Sequence, residues 1–378
     1  MQLKFTTILF FLSFITVSQI GIAQSAKEEL KFVNLFSSDM KEGVSCYRIP
    51  SIITALNGDV IAAIDERVPS CGDLRSNNDI NIVMRRSADS GKSWSKIQTI
   101  VDYPLGESAS DPSMIVDESS GEIFMFFNYM NLETEKDVYY LKMVSSKDNG
   151  LTWSTPTDIT AQITKPEWKK DFKFITSGRG LQTKSGELLH TIVNLEKGLF
   201  VFKSDDHGKN WSLIDTPILP ADESKIMELE DGSWMINSRV SKVGVRYIHT
   251  STDHGKTWTS NPDSQLIDPA CNASFIRYSL KDKKYSKNRL LFSNVNSPNK
   301  RENLTVKISY DEGKTWSKGK TIYVGESAYS SMTVLKNGDI GLFFEKDGYK
   351  KNAFVSFSLD WLTDGTDAVK SSKKKQGK

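Results

Sequence analysis

Residues 87–94 read Ser-Ala-Asp-Ser-Gly-Lys-Ser-Trp, and the same pattern, Ser-x-Asp-x-Gly-x-x-Trp, begins again at four later serines. Five of the eight tryptophans of the chain belong to these copies. Their aspartates follow one another at intervals of 59, 58, 47 and 58 residues and are Asp89, Asp148, Asp206, Asp253 and Asp311. A period of that length exceeds a helical solenoid unit and suits a four-stranded sheet repeated around an axis.

Each copy, called an Asp box below, has the chemistry of a hairpin turn. A strand-like segment precedes it, such as residues 80–84 before the first box. The carboxylate can accept N–H groups of its own loop, the glycine adopts a left-handed backbone, and the tryptophan can pack between neighbouring sheets. Alternatively, the boxes would bind carbohydrate or metal. Because five equivalent turns around a ring cannot share one site, we assign the boxes a structural role.

The length of the chain sets the number of repeats. Roughly 340 residues between Gln24 and Thr363 hold close to six units of this period. The sequence therefore predicts an all-β fold, a six-bladed β-propeller, in which C-terminal strands pair with N-terminal ones and so remove exposed sheet edges. The predicted C-terminal strands are 331–334, 341–344 and 353–357, and hairpin signals stand at Asn57-Gly58, Asp231-Gly232 and Asn337-Gly338.

The two ends of the chain differ from its middle. Lys4, an apolar run over 8–17 and Gly-Ile-Ala before Gln24 form the pattern of a secretory signal peptide over 1–23. The run is about half of the roughly 20 residues that a membrane span needs. We therefore expect an exported protein, secreted or periplasmic, without an integral membrane segment. The propeller is predicted over 24–365 and a disordered, lysine-rich tail over 366–378.

Charge and composition exclude several classes of partner. Of the net charge of +2, Lys4 and five lysines in 370–378 supply six positive charges, so the chain between them carries −4 and has no electrostatic reason to bind nucleic acid. The three cysteines, Cys46, Cys71 and Cys271, lack metal-ligand spacing and allow one disulfide at most, and we expect none. Two of the four histidines lie inside Asp boxes, so neither a metal nor another cofactor is expected.

Three arginines carry the functional interpretation. Arg48 stands in Tyr47-Arg48-Ile49-Pro50, and Arg239 and Arg301 follow in later repeats. Taken singly, each is more often a surface charge than a ligand group. Taken with the five Asp boxes, the Arg-Ile-Pro motif makes the sequence resemble the bacterial-type exo-sialidases, or neuraminidases, over essentially the whole predicted mature chain.

The resemblance implies how the sugar is held. Arg48, Arg239 and Arg301 would form the triad that binds the carboxylate of a sialic acid, and Arg67 and Asp111 would hold the side of its 4-hydroxyl. Guanidinium groups bind a carboxylate through two hydrogen bonds, stay charged and fix its orientation. A sialic acid carries that carboxylate on the reacting carbon itself, so three arginines suit an exo-acting site.

The resemblance also implies the catalytic residues. Tyr329 would be the nucleophile, Glu223 its base and Asp73 the acid/base. A neutral phenol avoids the repulsion that a carboxylate nucleophile would meet beside the substrate's own carboxylate, and sialidases are an exception to the two-carboxylate scheme. Asp73 needs a raised pKa, whereas the arginines push its pKa down. Asp79 competes for this role, and we rank Asp73 first because it lies in a loop and Asp79 leads into a strand.

The implied activity is that of a retaining exo-α-sialidase that hydrolyses terminal sialic acids from glycoproteins, glycolipids or oligosaccharides. Two alternatives stay open: a non-catalytic propeller that binds sialylated glycans, and a trans-sialidase or anhydrosialidase that uses the same site. A lectin would not need a nucleophile, a base and an acid together. We expect a monomer. Aromatic candidates for the rim of the pocket, which equally suit the core, are Trp168, Phe172 and Phe174.

Overall fold

The computed structural model describes residues 29–369. The predicted signal peptide lies outside the described residues, as does 370–378 of the predicted tail, so export stays a prediction. Over the described range the chain is built from β-strands, with a few helices of three or four residues each, and the predicted all-β class is confirmed. No helix between residues 29 and 369 is long and apolar enough to cross a membrane.

The strands follow one another with short connections. The first are β1 (Val33–Ser37), β2 (Cys46–Thr54), β3 (Val60–Arg67), β4 (Asp79–Ser87), β5 (Gln98–Val101), β6 (Glu107–Val116), β7 (Ile123–Asn131), β8 (Tyr140–Ser146) and β9 (Thr157–Asp158). Next come β10 (Lys173–Ile175), β11 (Gly178–Arg179), β12 (Leu181–Gln182), β13 (Leu188–Asn194), β14 (Gly198–Ser204), β15 (Ser212–Ile218), β16 (Ser224–Glu228), β17 (Trp234–Ser238), β18 (Val245–Ser251) and β19 (Thr259–Ile267). The last are β20 (Ser274–Ser279), β21 (Arg289–Val295), β22 (Glu302–Ser309), β23 (Lys320–Val334), β24 (Ile340–Lys346) and β25 (Lys351–Phe357). The α-helices are α1 (Thr160–Ile163) and α2 (Leu359–Leu362), and 3-10 turns stand at Ser38–Met40 and Pro166–Trp168.

Consecutive strands pair antiparallel in groups. These groups are β2 to β5, β6 to β9, β10 with β12 to β15, β16 to β19, and β20 to β23, and the parallel pairing of β4 with β6 joins the first two into one sheet. The last group continues beyond β23: β23 also pairs with β24, β24 pairs with β25, and β1 from the N-terminal part pairs with β25, with Val33 opposite Phe354. The predicted pairing of C-terminal strands with an N-terminal one is therefore confirmed.

The Asp boxes form the predicted hairpin turns. In the first box, which connects β4 to β5, Ser87 Oγ accepts the N–H of Gly91 at 2.8 Å and Asp89 Oδ1 accepts the N–H of Ser93 at 2.9 Å. The other four boxes repeat both contacts. Two consecutive residues are left-handed, Ser90 at φ 60° and Gly91 at φ 87°, which gives the reversal that joins two strands.

The tryptophan of a box reaches a neighbouring group. Trp94 packs on Phe354 of β25 with ring centroids 5.1 Å apart, and Trp211 packs on Phe126 of β7 at 5.0 Å. A Cβ atom at Gly91 would collide with the ring of Phe354, so the glycine of this box is required by close approach as well as by its backbone angle. Each of these boxes therefore both forms a hairpin turn and packs against a neighbouring group of strands.

We expect Asp206→Ala to lower the free energy of unfolding by about 1–2 kcal/mol, because it removes the acceptor of the Ser204 hydroxyl and the Asn210 N–H. Turnover per folded molecule stays at the wild-type level. Urea unfolding and an activity assay normalised to folded protein measure both quantities. Asp205→Ala is the matched control, since Asp205 makes an exposed ion pair with Lys203. A stable but inactive Asp206 variant would contradict the structural role.

The C-terminal boundary of the packed chain needs a correction. The sequence placed it after residue 365, yet the side chain of Asp367 is buried and pairs with the buried Arg289 at 2.7 Å. A buried guanidinium needs a counter-charge. The packed domain therefore includes Asp367, and the predicted tail starts later.

Candidate active site

One cavity of about 500 Å³ collects the predicted site residues. All eight side chains singled out in the sequence line it, although they come from every part of the chain: Arg48, Arg67, Asp73, Asp111, Glu223, Arg239, Arg301 and Tyr329. Asp79, the rival of Asp73, begins β4 and accepts a hydrogen bond from Asn81 at 3.2 Å outside this lining. Asp73 thus lines this cavity and Asp79 does not.

Two β-bulges shape the floor of the cavity. In β2 the register shifts around Ile49, at φ 66°, and in β6 it shifts around Asp111, at φ 64°; each residue precedes a proline, Pro50 or Pro112. A left-handed isoleucine is rare, and such outliers and bulges cluster at functional sites, where they redirect a side chain. The Arg-Ile-Pro and Asp-Pro sequences thus mark two bulges at the site.

Tyr329, Glu223 and Arg239 form a connected set. The hydroxyl of Tyr329 donates to Glu223 Oε2 at 2.6 Å, and Arg239 Nη1 donates to Tyr329 Oη at 3.1 Å and to the same Glu223 oxygen. Burial first, and then the charge of Glu223, raise the pKa of Tyr329 well above its usual value. The phenol is therefore protonated at neutral pH, and its O–H points at Glu223.

Arg48 and Arg301 have different partners. Arg48 Nε donates to Glu345 Oε1 at 2.7 Å, and the buried Glu345 also accepts the N–H groups of Ile49 and Tyr329 at 2.9 and 3.0 Å. Arg301 donates only to neutral oxygens in these contacts, the Ala270 carbonyl at 3.0 Å and the Tyr349 hydroxyl at 3.2 Å. Glu345 was not among the residues predicted from the sequence, although a carboxylate inside the apolar strand β24 was a usable signal.

Asp73 lies beside Arg67, whose Nη1 donates to Asp73 Oδ1 at 2.6 Å. Partial burial raises the pKa of Asp73, since it removes water from the carboxylate. The positive charge of Arg67, and then those of Arg48 and Arg301, outweigh this effect, so the pKa lies below its usual value. The arginines thus lower the pKa of Asp73 as expected, and the raised pKa that a general acid needs is not found in this structure. The Asp73 side chain is 81% exposed, so a molecule bound in the cavity would displace water from it.

Asp65 and Asp111 form a pair of neighbouring carboxyl groups at the floor of the cavity. Buried Asp65 accepts from Arg67 Nη2 at 2.9 Å, from the Ser110 hydroxyl at 2.6 Å and from the Asp111 N–H at 2.9 Å. Loss of water around Asp111, followed by the charge of Asp65, raises the pKa of Asp111 to about 7. Asp111 therefore takes up a proton more readily than an ordinary aspartate.

The expectation that the cysteines do not pair is wrong. Cys46 and Cys71 form a disulfide with Cα atoms 5.7 Å apart, and Cys271 is free and buried. Cys46 is two residues before Arg48 and Cys71 two before Asp73, so the bridge ties the loop of Asp73 to the strand of Arg48. Sequence spacing could not reveal it, because the pairing of Cys46 with Arg67 across β2 and β3 brings the two cysteines together.

The aromatic rim candidates separate into two kinds. Phe172 and Phe174 line the cavity, whereas Trp168 is buried in the core. Asp222, the residue before Glu223, also lines the cavity, with Oδ2 3.5 Å from Arg239 Nε. Between residues 29 and 369 no three His, Cys, Asp or Glu side chains are grouped to hold a metal.

The sequence and the fold of this chain match proteins already known. The profile of the BNR repeat-like domain matches residues 70–342, so the chain belongs to that family. The chain is also similar to sialidases: it is 35% identical over 352 residues to a sialidase of Micromonospora viridifaciens, covering 85% of this chain and 53% of that protein. It is 29% identical over 330 residues to a sialidase of Bacteroides fragilis (strain YCH46), covering 80% of this chain and 60% of that protein.

A solved structure gives the same picture for the fold. The Hadza microbial sialidase Hz136 superposes with a TM-score of 0.76 at 28% identity, covering 85% of this chain and 67% of that one. The chain spans only 53% and 60% of the lengths of the two curated relatives, whose remaining parts have no counterpart in the alignment.

Proposed function

We propose that the protein is a glycoside hydrolase, a retaining exo-α-sialidase that removes terminal sialic acids from glycoconjugates with Tyr329 as nucleophile. The observation that carries the proposal is the 2.6 Å hydrogen bond from Tyr329 to Glu223 inside a cavity that three arginines also line. A site that only binds sugar needs the arginines but not a buried tyrosine paired with a base. The names of the two curated relatives support the same activity.

The arginines would bind the substrate's carboxylate. Arg301 has neutral partners and keeps its full charge for an incoming anion, whereas Arg48 and Arg239 share theirs with Glu345 and Glu223. Guanidinium groups held by carboxylates keep their orientation before the substrate arrives, which is the preorganisation that electrostatic catalysis requires. Arg67 and Asp111 would face the 4-hydroxyl.

The first half of the reaction forms a covalent intermediate. Tyr329 Oη attacks the anomeric carbon while Glu223 accepts the phenolic proton, and the bond to the leaving oxygen breaks as Asp73 donates a proton to it. In the second half the Asp73 carboxylate accepts a proton from water, the resulting oxygen attacks the same carbon, and Tyr329 leaves and recovers its proton from Glu223. Two inversions give retention, and one water is consumed for each glycosidic bond.

Substrate binding itself would turn Asp73 into an acid. A bound carboxylate neutralises Arg48 and Arg301, two of the charges that lower the pKa of Asp73, and the leaving sugar covers its exposed side chain. Both changes raise its pKa. The acid is thus prepared only when the glycosidic oxygen is in place.

We also propose that the sheets close into the six-bladed propeller expected from the repeats. The innermost strands contact their neighbours along part of such a ring: Ser51 of β2 donates to Gly178 O at 2.6 Å, Ser331 of β23 accepts from Ile52 N at 3.2 Å, and Ser274 of β20 accepts from Met332 N at 2.9 Å. Such a ring would place the starts of all groups around one central cavity, where the eight residues meet.

The experiment that tests the function is release of sialic acid by the purified chain from an aryl sialoside and from sialylated oligosaccharides, with the product identified by mass. Free sialic acid supports hydrolysis. An anhydro sugar or transfer to an acceptor sugar would assign the trans-sialidase or anhydrosialidase alternative. Binding of sialyllactose without any release would assign the lectin alternative and refute the enzyme. An aryl galactoside is the control for contaminating glycosidases.

We expect Arg301→Ala to lower kcat/KM by about 30- to 1,000-fold, which corresponds to roughly 2–4 kcal/mol for one aimed electrostatic contact. Folding changes little, because the two hydrogen-bond partners of Arg301 are neutral and leave no unpaired charge behind. Arg301→Lys is the matched variant, and we expect it to recover only part of the loss since lysine lacks the two-pronged donor. A severe drop in melting temperature with normal turnover would make Arg301 structural.

A further inference from the structure

Tyr349 contacts two of the three arginines at once. Its ring centroid lies 4.0 Å from the Arg48 guanidinium carbon, and its hydroxyl oxygen accepts a hydrogen bond from Arg301 Nη1 at 3.2 Å. It does not line the central cavity; with Arg301 it lines a neighbouring cavity of about 420 Å³. Tyr349 therefore stands behind the arginines and not in front of them.

The turn that presents Tyr349 has an unusual backbone. Three consecutive residues between β24 and β25 are left-handed: Asp347 at φ 54°, Gly348 at φ 62° and Tyr349 at φ 67°. A tyrosine in this region is disfavoured and persists only when its surroundings hold it there. Two hydrogen bonds fix the turn: the Asp347 N–H donates to Glu326 O at 3.0 Å, and the Asp347 carboxylate accepts from the Tyr323 hydroxyl.

We propose that Tyr349 is a positioning residue that holds Arg48 and Arg301 in the geometry needed to grip a carboxylate. The proposal rests on the proposed function and adds a residue to it. Two guanidinium groups near each other repel, and each prefers to turn toward water. A ring face that attracts one cation and a hydroxyl oxygen that accepts from the other oppose both tendencies without adding a negative charge that would compete with the substrate.

The other side of the pair supports this role. The Tyr329 ring lies 5.8 Å from the Arg48 guanidinium carbon and 5.5 Å from that of Arg301. The two arginines thus lie between two tyrosines, one of which is the proposed nucleophile. Removing Tyr349 frees their outer side, so the carboxylate site loosens while Tyr329 and Glu223 keep their hydrogen bond.

The test is a KM and kcat comparison of Tyr349→Phe and Tyr349→Leu with the wild type on a sialoside. Loss of the hydroxyl raises KM about three- to tenfold, and loss of ring and hydroxyl together raises it about 30-fold or more. The kcat value stays within about threefold, because the carboxylate is held alike in ground state and transition state. The Phe variant therefore lies between the wild type and the Leu variant.

A second readout isolates the carboxylate. Inhibition by an unsaturated sialic acid analogue is compared with inhibition by its methyl ester. We expect the preference for the acid over the ester to be smaller in the Phe variant than in the wild type, and smallest in the Leu variant. Tyr278→Phe is the matched control: it also loses a hydroxyl, the donor to Gly338 O at 2.7 Å in another turn, and keeps the wild-type preference. If the Leu variant melts far below the wild type, the Phe variant decides alone.

The outcomes separate the two proposals. An active wild type whose acid-over-ester preference and KM are unchanged in the Phe and Leu variants overturns the role of Tyr349 and leaves the sialidase function standing. A wild type that neither hydrolyses sialosides nor binds the analogue overturns the proposed function, and this inference with it.

Discussion

Replacing Tyr329 by phenylalanine is expected to lower turnover of a sialoside by about a thousandfold or more, the equivalent of roughly 4 kcal/mol in the activation barrier. The change removes the oxygen that would attack the anomeric carbon and that donates to Glu223. The ring beside Arg48 and Arg301 remains, so the carboxylate site keeps its shape. Affinity for sialic acid therefore stays within about tenfold of the wild type, the range of one hydrogen bond.

Two measurements check this expectation: calorimetry of sialic acid binding, and intact mass after reaction with a fluorinated sialoside that traps a covalent adduct. The adduct forms on the wild type, maps to the peptide of Tyr329 and is absent from the Phe variant. Tyr278→Phe, which loses a hydroxyl far along the chain, serves again as the control and keeps normal turnover. Undiminished turnover in Tyr329→Phe would exclude the tyrosine as nucleophile.

Asp73→Ala is expected to lower turnover of a natural sialyl oligosaccharide by about 100- to 10,000-fold, the range of a positioned general acid and base. An aryl sialoside with a good leaving group needs no protonation, so its first step is affected far less. The contrast between the two substrates is the diagnostic quantity, because misfolding would lower both rates equally. Stability changes little, since the Asp73 side chain is 81% exposed.

Asp79→Ala is the matched control for this experiment. Asp79 is the neighbouring carboxylate that was ranked second for the role in sequence, and its side chain accepts a hydrogen bond from Asn81 away from the cavity. We expect its turnover on both substrates to match the wild type. A larger loss in the Asp79 variant than in the Asp73 variant would show that the acid has been assigned to the wrong aspartate.

The repeats and turns were readable in sequence because they are local. A box spans eight residues, and its hydrogen bonds run from Ser87 to Gly91 and from Asp89 to Ser93, all within one turn. Local geometry of that kind demands particular residues at particular positions, so five copies made the all-β class and the hairpin turns predictable. The resemblance then supplied the eight candidate residues, and all of them line one cavity.

Contacts between distant parts of the chain left no such trace. Arg48 and Glu345, which pair at 2.7 Å, are 297 residues apart, and the Cys46–Cys71 disulfide depends on how β2 and β3 align. The residue types at the ends of such contacts have many alternative uses, so one sequence cannot say which partner each will find. The lowered pKa of Asp73 and the place of Tyr349 behind two arginines arise in the same way. Amino-acid order was enough for the turns, the strands and the candidate residues, whereas the charge, orientation and support of those residues follow from which strands the folded sheets bring side by side.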